Sequence, residues 1–364
     1  MTERRPSGQR GNPQRGQRGN PQRGRPSGDR AVSEGTPSGG SEEIPSWGQH
    51  DLFGGPPRNA EPVRAVVPAA EVLQLAQRLP KSVHFGTSSW SFPGWVGIVY
   101  AQLYGVSLLA RHGLAAYSRH PLLNAVNLDS AFYRVPTVER LAAFAADVPD
   151  NFRFMVKAYA GLTAVPDSSM ALRHRVEPVF LDAEFAARQV VRPLMEGLGG
   201  KLGAILFQFS PLGPRYTRAP NAFVARLGEF LSALPAGPTY AVELRDPEIL
   251  GSEYEGALGA TGAVHCSTVH SRMPRVDRQV SATLPGPLLI RWMLRAGDDY
   301  ERAGARYAPF DRLQEPDKLN RDCVAAMIRT GLSAGRDVHV IAANNAEGSA
   351  PLTLLELAKT IVTN

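Results

Sequence analysis

The sequence predicts an α/β fold, a single (βα)8 barrel behind a disordered N-terminal tail rich in Arg, Gly and Pro. Three observations carry that prediction. Eight short apolar segments recur along the chain: Val83–Ser88, Val126–Asp129, Phe152–Lys157, Gly203–Gln208, Thr239–Leu244, Val264–Thr268, Leu288–Trp292 and Val338–Ala342. Nearly every one ends on a polar or charged residue, and helix-like stretches separate most of them. Strand, polar tip and helix, repeated eight times, is the layout of a barrel whose active sites lie at the C-terminal ends of its strands.

The elements follow in order. Residues 1–45 are low in complexity: Gln-Arg-Gly-Asn-Pro-Gln-Arg-Gly stands at 9–16 and again at 17–24. With no aromatic before Trp47, such a stretch cannot bury enough surface to offset its chain entropy, so it is expected to be disordered. Residues 46–80 form a connector with Gly54-Gly55-Pro56-Pro57 and a helix over Ala69–Arg78, whose Val72, Leu73, Leu75 and Leu79 would cap the bottom of the barrel. The barrel spans 81–364, a usual size for this fold. Helices are predicted at Leu108–Ser118, Val138–Asp147, His174–Gly197, Ala219–Leu234, Glu253–Ala260, Asp317–Ala334 and Pro351–Val362. In the second of these, Val138, Leu141, Ala142 and Ala145 recur at helical spacing behind Thr137, a good N-cap residue. Residues 269–287 show little periodicity, so a loop or a very short helix replaces the sixth helix.

Composition narrows the partners. The chain has 364 residues and a net charge of +6. Residues 1–40 hold eight arginines against three acidic residues, a surplus of five, so the rest of the chain carries a surplus of only one. The basic character belongs to the tail, which is the one place for weak nucleic-acid contact, and not to a basic face on the fold. Two cysteines, Cys266 and Cys323, make no disulfide framework and read as reduced thiols. No apolar run is long enough to cross a bilayer, so no membrane contact and a cytoplasmic location are expected.

Strand alternation decides which side chains reach the barrel mouth. It turns Ala241, Glu243 and Arg245 inward, likewise Arg153, Met155 and Lys157, and puts Asn127 and Asp129 on the same inner face. Charges thus converge where such a fold normally keeps Val, Ile and Leu. Two readings stand side by side. One is a structural network that neutralises Lys157 and Arg245 with Asp129 and Glu243. The other is a site in which Glu243, Lys157 and Asp129 perform acid/base chemistry, while Arg245, Arg291, Gln208 and Asn345 hold an anionic ligand. Trp90, Phe92, Trp95, Phe132 and Tyr133, beside Ser88 and Arg134, either wall that pocket or plug the space under the loops. Asn344-Asn345 precedes the last helix, whose start offers N–H groups to an anion or simply an N-cap.

No metal and no cofactor are expected. None of His84, His265, His270 and His339 has ligand spacing to another His, and no Ser nucleophile elbow, P-loop or dinucleotide fingerprint occurs.

Six motifs in one order resemble the YecE-like family, a domain of unknown function (number 72) with a TIM-barrel-like fold. They are Gly86-Thr-Ser-Ser-Trp90 with Pro93-Gly-Trp95, Asp129-Ser-Ala-Phe-Tyr-Arg134 with Pro136, Phe154-Met-Val-Lys157, Leu206-Phe-Gln208, Val242-Glu-Leu-Arg245 and Asn344-Asn345. The resemblance runs from about Val83 to Ile361 and marks a divergent member. Asn127 stands where the family usually has a carboxylate, and Asp129 where it has an amide. Arg291-Trp-Met-Leu replaces an Arg-x-His-Gly signature, and Ala343-Asn-Asn replaces Phe-Asn-Asn. The resemblance implies a fold and a pocket but no reaction.

Three functional readings follow. The first is a barrel that binds or converts a small anionic ligand, phosphorylated or carboxylated and sugar- or nucleotide-like, by metal-independent acid/base chemistry. The second is a nucleic-acid-associated protein tethered by its Arg/Gly arm. The third is a ligand-binding protein without turnover.

Overall fold

The computed structural model describes residues 62–363 apart from 167, 176, 282, 283 and 296. The tail predicted to be disordered, with its nucleic-acid contact, and the first part of the connector lie outside the described residues.

Eight strands, β1 (Val83–Thr87), β2 (Ala125–Leu128), β3 (Arg153–Lys157), β4 (Leu202–Gln208), β5 (Tyr240–Glu243), β6 (Val264–Val269), β7 (Leu288–Trp292) and β8 (Val338–Ala342), pair in parallel in chain order and close into a barrel. The closure joins β1 to β8 from Val83↔Val338 to Thr87↔Ala342. Period-two alternation sorts the side chains into two cores. Phe85, Val126, Val156, Phe207, Val242 and Val340 face the helices. Ala125, Met155, Ala204, Leu206, Ala241, Cys266, Leu289 and Ile341 fill the bore. Small residues recur in this inner set because the bore is narrow. Gly86 is the extreme: a Cβ there would stand 2.4 Å from the Ala125 carbonyl oxygen, so β1 approaches β2 only without one.

The helices close the outer layer. Thr137 caps Val138–Ala146, accepting from the Arg140 N–H at 3.3 Å, and Leu141 and Phe144 turn inward. Pro220–Ser232 buries Phe223, Leu227 and Phe230, each worth about 1.5–3 kcal/mol relative to exposure. Asp317 caps Lys318–Ser333 through the Asn320 N–H at 3.1 Å. Two expected helices are interrupted. Gly113 divides the first into Val106–His112 and Leu114–Tyr117. The expected His174–Gly197 is instead a short helix, Ser169–His174, ended by Arg175 at φ 49°. A second helical run starts at Ala183 and reaches Leu198 through a π-helical stretch. Pro178, which has no N–H to give, lies in the gap.

Among the described residues, a single 3₁₀ turn, Val276–Arg278, occupies the place of the sixth helix. Gln279 there covers β6 instead. Its amide oxygen accepts from the Thr268 N–H at 2.9 Å, and its nitrogen donates to the Thr268 carbonyl at 2.6 Å. The connector helix, Ala70–Arg78, corrects an expectation. It buries Leu75, leaves Leu73 43% exposed, and flanks the end of the last helix, Ala350–Thr363. Arg78 Nη2 reaches the Val362 carbonyl at 3.0 Å, and Glu71 pairs with Lys359 at 3.3 Å. The bottom of the bore is left to His84, Arg153 and His339, which line a cavity there.

No helix among the described residues is long and apolar enough to cross a membrane.

Candidate functional site

The C-terminal ends of β5 and β7 bring two cations around one carboxylate, and the end of β3 adds a third cation to the same mouth. Glu243 closes β5 with no exposed surface. One of its oxygens accepts from Arg291 Nη1 at 2.6 Å, and the other is paired with Arg245 Nη1. Arg245 and Arg291 are themselves 1% and 2% exposed, so little of the triad meets bulk solvent. Register explains the meeting: Glu243 lies beside Gln208 of β4, and Arg291 beside Thr268 of β6, with all four on the inner face. Lys157, at the end of β3, sets its ammonium 3.7 Å from the centre of the Phe132 ring, a cation–π contact. Asp129 is only half-buried, and Asn127 Nδ2 donates to its Oδ1.

The electrostatics of Glu243 follow from its two partners. Burial alone would raise the pKa of Glu243. Arg245 and Arg291 act more strongly in the other direction, and the result is a pKa lowered to about 2. Such a group favours its charged form, and in this arrangement Glu243 neutralises and aims two guanidinium groups. Beside it in the bore, the Cys266 thiol is pushed up by burial and by the Glu243 charge, so it is an inert core residue.

The aromatic residues sort the same way. Trp90 and Trp95 are 4% and 0% exposed. The Trp90 indole N–H donates to the Leu109 carbonyl at 3.0 Å, and that of Trp95 to Asn344 Oδ1 at 3.2 Å. Both indoles are packed under the loops with their N–H groups bonded inside the protein. Ser88 and Tyr133 stay half-exposed at the rim, and Arg134 is exposed.

Asn344 is committed to the fold as well. Its Oδ1 also accepts from the Ala350 N–H at 2.8 Å, capping the last helix. Asn345 Nδ2 donates to the Tyr300 carbonyl at 3.2 Å. Asn344→Ala is expected to remove the cap and the Trp95 acceptor together. Chemical denaturation should then show a loss of about 2–3 kcal/mol, more than a cap alone contributes.

The segment between β7 and Lys318 walls one side of the mouth. Its helix Tyr300–Tyr307 is capped by Asp299, and the Tyr300 ring lies 5.9 Å from that of His270. Phe310 meets Phe92 edge-on at 5.7 Å. Gly94 allows the seating, since a Cβ there would fall 1.7 Å from the Pro309 carbonyl oxygen. Thr268 and His270 complete the inner end of β6. Their signal in the sequence is parity with Cys266, at steps of two along the strand. Among the described residues, no group of three or more His, Cys, Asp or Glu side chains is arranged to hold a metal ion.

A closed parallel barrel carrying a charged cluster at the C-terminal ends of its strands defines the class: a (βα)8 protein with its candidate site where this fold keeps its chemistry. The chain belongs to the family described as "Protein of unknown function DUF72", whose model matches residues 84–364. A DUF72 family protein of Enterococcus faecalis V583 is similar in structure, with a TM-score of 0.52 and 20% identity over 77% of this chain and 95% of that one. A second, from Thermotoga maritima MSB8, gives a TM-score of 0.50 and 19% identity over 77% and 98%. At such identities the likeness extends to the fold alone. No curated protein matches the chain.

Proposed function

We propose that the protein binds a small anionic ligand, phosphorylated or carboxylated, at the C-terminal mouth of its barrel. The observation that carries this reading is the excess of cations there. Lys157, Arg245 and Arg291 stand against Glu243 and Asp129; Glu243 is already shared between two arginines, and the other deeply buried carboxylates beyond the strand ends, Asp246 and Glu347, are held by the Leu212 N–H and by Arg321. Two buried donors, Arg291 Nε and Asn344 Nδ2, have no acceptor in the protein, as expected of groups that serve a ligand or water. Arg291 and Arg245, held by Glu243, offer a pre-aimed pair of planar donors. Lys157 adds a point charge. Of the two carboxylates, Asp129 is the one suited to move a proton, being half-exposed and bonded on one side to Asn127.

The test is a thermal-shift screen of anionic metabolites on the protein and on Lys157→Met. A ligand at one hundred times its Kd stabilises the native state by about 2.7 kcal/mol. Phosphorylated or carboxylated compounds should raise Tm in the parent, and Lys157→Met should lose most of that rise while remaining folded. Equal shifts in both proteins would remove Lys157 from the site. No shift from any anionic compound would leave the charges as structural pairs only.

A further inference from the structure

The opposite end of the barrel carries an unassigned feature. His84 and His339 occupy the same position on the adjoining strands β1 and β8 and are register partners. Their rings stack, with centroids 4.7 Å apart and planes 14° from parallel. Each residue is 6% exposed, and neither Nδ1 has a hydrogen-bond partner. Both line a cavity of about 380 Å³ at the N-terminal mouth, together with Arg153, Arg336, Asp337 and Gly203. Two buried imidazole nitrogens without partners among the described residues cost about 1–3 kcal/mol each, and the rings that carry them border this cavity.

Charge selects the occupant. Arg153 enters from β3; Arg336 and the exposed Asp337 stand just before β8. The starts of β4, β5 and β7 contribute only uncharged residues, among them Leu202, Thr239 and Pro287. Arg153 is braced by the Asp150 and Phe152 carbonyls at 2.8 and 2.9 Å, and Arg336 by those of Gly286 and Pro287. With neutral histidines, two cations face one carboxylate. With protonated histidines, the excess grows to three. A metal cation would meet a positive field here; an anion meets donors.

We propose that the N-terminal end of the bore is a second binding site, for a tetrahedral oxyanion of the sulfate or phosphate type, held by Arg153, Arg336 and the imidazole rings of His84 and His339 and taken up together with protons. Burial, the partner ring and Arg153 hold His339 at a pKa of about 3, and burial and Arg153 also lower that of His84. A bound oxyanion reverses part of this penalty, because it supplies the opposite charge and an acceptor for an imidazolium N–H. Occupancy must therefore rise as pH falls.

Sulfate is the probe, since its charge is constant between pH 5.5 and 7.5. Titration calorimetry of the full chain at fixed ionic strength should show at least tenfold tighter binding at pH 5.5, with net proton uptake. His84→Asn/His339→Asn should lose the pH dependence, while Lys157→Met, at the other mouth, keeps it. A parallel titration with glycerol phosphate tells a free oxyanion from the phosphate group of a larger molecule by which binds more tightly. Should the double variant fail to fold, imidazole NMR of the unaltered protein serves instead: sulfate should raise two histidine pKa values. Binding independent of pH, binding undiminished in the double variant, or binding abolished by Lys157→Met would each overturn the proposal. The last result would leave the anion site at the C-terminal mouth intact.

Discussion

Glu243→Gln is expected to destabilise the protein by about 3–5 kcal/mol, the cost of leaving buried charges without their partner. The substitution keeps the side-chain shape and removes one negative charge from between Arg245 and Arg291, neither of which has more than 2% of its surface exposed. Two guanidinium groups would then face each other in the bore with no carboxylate between them. Equilibrium denaturation reads the loss directly. Adding Arg291→Met to Glu243→Gln should recover part of it, because the second change removes a charge that has lost its partner. A Glu243→Gln protein as stable as its parent would mean that water reaches the triad and screens it. Recovery by the second change separates this electrostatic account from a mere packing defect, which a further substitution would deepen.

The triad also marks the limit of what is legible in the sequence. Period-two parity along Tyr240–Arg245 turns Glu243 and Arg245 inward, and the structure agrees. The partnership of Glu243 with Arg291 is not legible, because it joins β5 to β7 across the bore, and relative strand height is set by barrel closure. Most strand boundaries agree within one or two residues, since apolar runs bounded by polar tips report burial on both faces. The missing sixth helix is legible as missing periodicity in 269–287. The division of His174–Gly197 is signalled by Pro178, whereas the conformation of Arg175 leaves no trace in residue type. Trp90 and Trp95 read equally well as pocket wall or plug, because an indole serves both, and their acceptors, Leu109 O and Asn344 Oδ1, are set by tertiary contacts that residue type does not show. The His84–His339 stack has a visible precursor, Val-His-Phe opening β1 and Val-His-Val opening β8, and it becomes informative once those strands are known to be neighbours.

Mild acid is the second large perturbation. His265 is 5% exposed and bonded to Tyr254 Oη and Gln279 Oε1 at 2.9 and 3.2 Å, and burial lowers its pKa to about 4. His339 is lowered further, to about 3. In the unfolded chain both titrate near 6.5, so below that pH the unfolded state binds protons that the native state refuses. Stability is therefore full above pH 6.5 and falls as pH drops toward the native values. Each such histidine contributes a slope of about 1.4 kcal/mol per pH unit. Between pH 6.5 and 4.5 the two together should remove about 4 kcal/mol, or on the order of 10 °C in Tm. Glu243 adds its own loss only below its unfolded value of 4.5. Denaturation midpoints measured across this range should fall steeply from pH 6.5 downward, and His339→Asn should flatten the curve. A parent protein with constant stability from pH 7 to pH 5 would show that these imidazoles take up protons in the folded state.

The junction between β8 and β1 is the one place in the barrel wall where neighbouring strands are not consecutive in the chain, and it is stitched at three heights. The histidine stack binds it below, the Trp95–Asn344–Ala350 bonds bind it above, and Glu71 and Arg78 fasten its outer side to the last helix. Neither half of the barrel therefore carries a finished edge. A fragment ending after β4 would expose the Trp95 indole N–H with nothing to receive it, and one beginning at β5 would leave Asn344 capping a helix with no first unit to rest on. Such halves would be obligate partners rather than independent modules. A circular permutant that links the end of the last helix to the connector and opens the chain elsewhere would keep all three stitches, and so exchange one seam for another.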